Sequence, residues 1–489
     1  MPSLRTLYRF LRVLLEKGHL PSSERMKRPA EPSLEYVLSG RRLAGTRAEV
    51  VAELDELIEA LIAVRQIISD EQRQLPDLDY RSRIRLVRTV CGVALALIVA
   101  TAAEGQAASA GVQLSHLQTN GAHDPASRQL PSSSERRWTY GGFVDVAYPF
   151  DFNQPPNKVF RSRGTAWHTN DFYLNMSGAY VKKSASEPDD WGAELLVHTG
   201  KDDEVFGFSA TAPNIAGDEW LRHVGLANII YVAPAGKGLT LQGGIFPSLI
   251  GYDSLYAKDN FNYTRPWGAD FTPYLMLGVN ASYAFTEKFT TTAYVVNGYW
   301  HLAHANGVPS SGVQLAYRLT PEITLKETVL AGPHQLNTAL EFWRFLSDTI
   351  VERRADRVVM AAEYQVSSEQ VDEAEPFRAW WMAAQLPIRW TPQPRWNLAV
   401  RPEVAWDSHG RWTLAEQTVK ALTSTVEYRV PYNWANTLVR VEHRVDNSRG
   451  PQGGFFDDHD VRPGVAALTP TQHLLIVGLI FTFDAPSRR

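Results

Sequence analysis

From Trp138 onward the chain divides into about sixteen segments of about 9 to 13 residues, many alternating apolar and polar positions with a period of two. In VRVEHRVD, residues 439 to 446, Val439, Val441 and Val445 share one face, and Arg440, Glu442, Arg444 and Asp446 share the other. Successive side chains of a strand point to opposite faces, so this pattern predicts a strand with one oily side and one wet side. WNLAVRPEVAW repeats it: Trp396, Leu398, Val400, Val404 and Trp406 lie on one face, Asn397, Arg401 and Glu403 on the other, with Asp407 continuing the polar set. Aromatics close both ends of that apolar face, as in a strand that crosses an apolar band about 25 Å tall between two aromatic girdles. Further outward sets are Tyr140, Val144, Val146 and Tyr148; Phe172, Leu174, Met176 and Tyr180; Val313, Leu315, Tyr317 and Leu319; and Val358, Met360, Ala362, Tyr364 and Val366.

A soluble sandwich also alternates, so the connections carry more weight. Short ones (ASEPDD, PAGK, TEK, TPE, RRADR, TPQPR, PYNW) take turns with longer ones, such as 151–167, 201–218, 247–273 and 447–472. Short turns at one end and long loops at the other require an even number of strands with both termini on the turn side. The prediction is an all-β, transmembrane, antiparallel up-and-down β-barrel of about sixteen strands over residues 138–489. Such a sheet must close, because an open edge in hydrocarbon leaves unpaired backbone groups. Phe342 to Val351 and Ala379 to Trp390 carry apolar residues on both faces, so the alternation marks them as strands least clearly.

The region before the barrel is chemically different. All 14 Trp lie after residue 137. Residues 81–110 place Arg81, Arg83, Arg85 and Arg88 before a short apolar run and Ala108-Ser109-Ala110, the order of a secretory signal peptide cleaved after Ala110. Residues 1–80 precede it, with an amphipathic helix predicted over 48–75. They read either as a helical N-terminal extension or, the favoured reading, as the product of a start assigned too far upstream. Residues 111–137 are Ser-rich and aperiodic, a flexible leader.

The chain has 489 residues, a formal net charge of −4 and one cysteine. Cleavage removes Cys91 and leaves a mildly acidic, tryptophan-rich chain, which argues against nucleic-acid binding and suits an outer membrane.

Four segments, GGFVDVAYPFDFNQPPNKVFR, GGIFPSLIGYDSLYAKDNFNYTRPW, VRPEVAWDSHG and VRVEHRVDNSRGPQGGFF, resemble in order and spacing the β-barrel porin-2 family of bacterial outer-membrane proteins. The likeness runs from about Tyr140 to Phe483. It implies passive passage of small hydrophilic solutes, contact with outer-membrane lipid, no cofactor, and a homotrimer among the assemblies open to it. HLLIVGLIFTF looks like the signal read by the barrel-assembly machinery, with Gly478, Phe481 and Phe483 in place. It departs from that pattern at Ile476, where a polar residue is usual, and in the tail from Asp484 to Arg489.

The spacing R-x-E-x-x-x-D occurs twice, as Arg401, Glu403, Asp407 and as Arg440, Glu442, Asp446, and Glu427 and Arg429 lie between. All should point inward. One reading is a lattice of cross-strand ion pairs, each worth about 0.2 to 1 kcal/mol. The sharper one is a basic wall of Arg401, Arg429, Arg440 and Arg444 at a constriction. The third long connection brings Asp253, Asp259 and Asp270; folded inward, it would set acid against that wall and a field across the passage. Alternatively it covers the mouth.

No hydrolase, phosphate-binding or metalloprotease motif is present, and His198 and His443 stand alone on their strands, so no enzyme is expected. FFDDHD, with Asp457, Asp458 and Asp460, reads as a solvated acidic tip before it reads as a cation site. A channel and a closed or plugged barrel acting through its external loops are the two function classes left open.

Overall fold

The computed structural model describes residues 138–484, apart from 207–217, 300–301, 303–305, 336–337, 339, 372–376, 432–435 and 463–464. The predicted helical extension, signal segment and leader lie outside the described residues.

The strands in chain order are β1 (Trp138–Asp151), β2 (Tyr173–Lys183), β3 (Trp191–Thr199), β4 (Val224–Ala233), β5 (Leu239–Pro247), β6 (Leu275–Ala284), β7 (Phe289–Val296), β8 (Ser310–Arg318) and β9 (Ile323–Pro333). They continue as β10 (Trp343–Arg354), β11 (Val358–Gln370), β12 (Arg378–Gln385), β13 (Ile388–Gln393), β14 (Trp396–Asp407), β15 (Gln417–Pro431), β16 (Asn436–Arg449), β17 (Phe455–Arg462), β18 (Val465–Thr469) and β19 (Thr471–Asp484). Neighbours run antiparallel, and β1 pairs with both β2 and β19, so the sheet closes on itself. β12 and β13 both lie between β11 and β14 and are halves of one wall strand. The wall therefore has sixteen strands, as the alternation predicts, and β17 and β18 form a separate hairpin in the last long loop.

Of the two segments with apolar residues on both faces, 342–351 lies in the continuously paired β10, and 379–390 is this broken strand. Pro387 has no N–H for the ladder, and the chain steps around it with Leu386 N–H donating to Pro402 O at 3.1 Å. Trp381 and Ala383 then pack inside while Met382 and Ala384 take the other parity, which explains apolar residues on both faces.

Outward residues follow the predicted parity along most of the wall. Trp138, Tyr140, Trp191, Tyr317, Trp396 and Phe483 are exposed near the turn end, and Tyr148, Phe172, Trp343 and Phe345 near the loop end, forming the two girdles. One expectation fails. The β1–β2 register slips between Asp145 and Val146, leaving Asn175 as an extra residue on β2. This bulge inverts the alternation beyond it. Met176, predicted to face lipid, is fully buried against Phe143, Tyr180 packs beside them, and Val181 is exposed instead.

Among the described residues no helix is long and apolar enough to cross a membrane; the strands do so. Among the described residues the single α-helix, α1 (Lys201–Phe206), lies in the second long loop.

Candidate functional site

The longest connection, residues 248–274 between β5 and β6, turns into the barrel. Its path can be followed by what it bonds to on the wall. Leu249 O accepts from Gln314 on β8 at 2.6 Å and Thr328 on β9 at 3.1 Å. Gly251 N–H donates to Asp348 on β10 at 2.8 Å, and Tyr252 N–H to Glu363 on β11 at 3.0 Å. Farther along, Asn262 donates to Thr425 on β15 at 2.7 Å, Tyr263 N–H to Glu442 on β16 at 2.5 Å, and Trp267 N–H to Glu403 on β14 at 2.5 Å. The loop thus crosses the lumen. Apart from two single 3-10 turns, Ala257–Asp259 and Ala269–Phe271, the loop has no regular structure, so its other buried backbone groups must find partners, and the charged inner face supplies them.

The predicted inward residues all sit on the inner face, and most of them serve this loop. Glu442 accepts from Tyr263 N–H, Thr264 N–H, Thr264 Oγ1 and Thr425 Oγ1, all within 2.9 Å. Arg401 donates to Thr264 O at 2.7 Å and pairs with Glu403 at 3.4 Å. Arg440 pairs with Glu427 at 2.7 Å across the β15–β16 ladder and donates to Ala257 O at 2.6 Å and Asn260 O at 2.8 Å. Arg444 pairs with Asp446 at 2.8 Å and Glu403 at 3.0 Å and donates to Arg265 O at 3.1 Å. Arg401, Arg440 and Arg444 are at most 3 % exposed. They are sealed between wall and loop instead of facing open water. Arg429, nearer the turn end, stays partly exposed.

The three loop aspartates go to different places. Asp253 accepts from Gln385 at 2.7 Å and lies 4.0 Å from Arg401, and burial raises its carboxyl above the ordinary range while that arginine opposes the shift. Asp259 pairs with Lys258 at 2.7 Å, and Asp270 is buried against Arg163 of the first loop at 2.9 Å. Only Asp253 of the three therefore reaches a wall arginine. A buried charge needs a counter-charge within a few ångströms, and for Asp259 and Asp270 it comes from the loops themselves.

Several residues of this network carry no strand-period signal and were not singled out. Arg265 pairs with Asp202 at the start of α1 at 3.0 Å, both fully buried. Burial raises the Asp202 carboxyl, with Arg265 pulling it down. The Tyr263 hydroxyl donates to Asp145 on β1 at 2.9 Å, and Arg344 on β10 lies over Trp412 at 4.4 Å and Tyr299 at 4.5 Å while pairing with Glu369 at 2.9 Å. The available clue was the density of aromatic residues, arginine and proline in FNYTRPW, which is unusual for a solvated loop. Toward the mouth Phe160, Trp267, Phe271, Trp381 and Phe455 join one buried cluster.

His198 is buried between Tyr256 OH at 2.9 Å and Arg222 O at 2.7 Å, and His443 stacks on His473 on the outer face. Donor atoms of Asp457, Asp458 and His459 on β17 lie within 4.8 Å of one another, with Asp458 and His459 exposed.

A closed sixteen-strand wall, oily outside and charged inside, with a loop drawn across its lumen, defines a porin-type barrel of the bacterial outer membrane. The chain belongs to the family described as "Putative beta-barrel porin-2, OmpL-like", whose model matches residues 137–483. Members of that class are channels and not enzymes. No curated protein matches the chain. Among solved structures it is similar to the outer membrane channel DcaP of Acinetobacter baumannii, with 10 % identity and a TM-score of 0.47, covering 71 % of this chain and 97 % of that one. It is also similar to an anion-selective porin from Comamonas acidovorans, with 10 % identity, a TM-score of 0.46 and coverage of 71 % and 99 %. Salmonella typhi OmpF in complex with daunomycin follows, with 11 % identity, a TM-score of 0.44 and coverage of 71 % and 97 %.

Proposed function

We propose that the barrel lets small hydrophilic solutes or ions diffuse passively through a water-filled lumen whose width is set by the inward loop 248–274. The observation that carries this reading is the loop's attachment to wall strands from β8 to β16, while charged inner-face residues toward the turn end stay partly exposed, among them Lys326, Glu352, Arg354, Arg389 and Arg429. Glu427 and Arg429 line the passage. Arg401, Glu403, Arg440, Glu442 and Arg444 act on it indirectly, by fixing the loop. Asp253 is the loop aspartate nearest the wall arginines, and Asp259 and Asp270 keep the loop's shape. Both signs of charge line the wall, so ion selectivity is weak.

Gly478, Phe481 and Phe483 present the final strand to the barrel-assembly machinery, and a homotrimer in outer-membrane lipid is the assembly in which the channel works. The aromatic cluster at the mouth favours one rival, a plugged barrel whose external loops act as a binding surface. Proteoliposome swelling tests the choice: rates that fall with increasing sugar size support diffusion through a narrowed pore. No swelling from protein shown to be inserted supports the plug.

A further inference from the structure

The outer face of β15, β16 and β19 changes character along the strands. Val426, Val441 and Val477 form one exposed outward row across all three. Toward the long loops the outward positions become His443, then His473 beside Val445, then Lys420, Asn447 and Thr471 in one row, and last Arg449 beside Thr418. His443 is exposed, and Lys420, Arg449 and His473 are partly exposed. The carboxylates of β15 and β16, Glu427, Glu442 and Asp446, all point inward, and Asp484 ends β19 on the turn side. The loop end of this face therefore gathers basic side chains without an acid from its own strands.

His443 and His473 stack with ring centroids 5.8 Å apart, and His473 meets the exposed Phe152 edge-on at 6.4 Å, which puts the patch at the level of the loop-end aromatic girdle. Asn447 Nδ2 donates to Thr471 Oγ1 at 3.0 Å in the same row. Arg449 makes no ion pair among the described residues. A cation on a lipid-facing strand is costly at mid-membrane and tolerated near the interface, where clustered basic side chains attract anionic headgroups. The long loops of such a barrel face the cell exterior, so headgroups at this level belong to the outer leaflet. A second barrel in the same membrane would have to bring a carboxylate to this level. Glu327, outward on β9, lies toward the turn end instead and already accepts from Ser347 at 2.6 Å and Thr349 at 2.5 Å.

We propose that the loop end of the β15–β16–β19 outer face is a docking site for a phosphorylated glycolipid of the outer leaflet. Lys420 and Arg449 take its phosphate, His443, His473, Asn447 and Thr471 face the polar groups beside it, and Val441 and Val477 lie under its acyl chains. The site is independent of whether the lumen conducts.

The test titrates folded full-length protein in detergent with lipid A carrying both phosphates and reads the bound lipid by native mass spectrometry. The parent should hold a first lipid tightly. Affinity should fall about tenfold or more in the Lys420→Gln, Arg449→Gln double variant, the size expected for lost charge-assisted hydrogen bonds, and stay unchanged in Arg353→Gln at the turn end of β10. Lipid A stripped of its phosphates should bind the parent about as weakly as the intact lipid binds the double variant. Should that variant fail to fold, Arg449→Gln alone, at the last position of β16, repeats the comparison. Equal binding of intact and stripped lipid overturns the proposal and leaves an apolar contact. So does an affinity that the folded variants leave unaltered, or no binding by the folded parent.

Discussion

Gly478 on the closing strand makes the seat for Tyr263 of the lumen loop: a Cβ at position 478 would stand 2.8 Å from two ring carbons of that tyrosine. The same glycine belongs to the predicted assembly signal, so the proposed assembly role and loop placement would fall on one position. Gly478→Ala should lower stability by about 1–3 kcal/mol through overpacking. The measurement is thermal unfolding of the inserted barrel. Gly478→Ala placed in a Tyr263→Ala background should cost little further, whereas an equal loss in both backgrounds would assign the glycine to assembly alone.

Glu442 is the most heavily used carboxylate of the loop seat, with four donors on it. Glu442→Ala strands two loop N–H groups and leaves the neighbouring buried arginines short of counter-charge. The expected loss is about 3–5 kcal/mol, in the range for breaking one side of a buried ionic network. Unfolding should show the loss, and single-channel records should become noisier as the loop is released.

Arg429 and Arg440 offer a contrast on neighbouring strands. Arg440→Ala removes donors to Ala257 O and Asn260 O and leaves Glu427 without its partner, so it should disturb the loop and stability together. Arg429→Ala alters a partly exposed position and should change stability by no more than about 0.5 kcal/mol. Its expected effect is a reversal potential shifted toward cation preference in a salt gradient.

Asp203 in α1 pairs with His223 at 2.7 Å, and burial pushes its carboxyl up to about 6, against the pull of that histidine. A folded-state value above the ordinary 3.8 means the folded loop holds the proton more tightly than the unfolded chain does. The resulting stabilisation is complete below the unfolded value and is lost as pH rises through about 6. Backbone hydrogen exchange over Lys201–Phe206, corrected for intrinsic rates, should therefore be slower at about pH 5 than at about pH 7.5. Asp203→Asn should flatten that dependence.

The wall was legible because a strand in a barrel wall reports its two environments residue by residue, as Val441 and Glu442 do in adjacent positions. Loop length then supplied strand parity and direction. The inverted stretch of β2 was not legible: a bulge adds one residue, Asn175, with no compositional mark, and every later side chain changes face. Parity also says which way Arg401, Arg440 and Arg444 point but not what meets them there. Their partners are largely backbone groups, such as Thr264 O and Asn260 O, whose positions depend on a loop with no period to read. For the same reason Asp270 could be placed on an inward loop but not against Arg163, more than a hundred residues away in sequence.

The central claim is that a lumen crossed by loop 248–274 still conducts. Current through single folded proteins in a planar bilayer tests it most directly. Discrete, voltage-tolerant steps are predicted, with larger or more frequent openings when Glu442→Ala loosens the loop. Silence from protein shown to be folded and inserted, in the parent and the Glu442→Ala variant alike, would contradict the account and leave a plugged barrel.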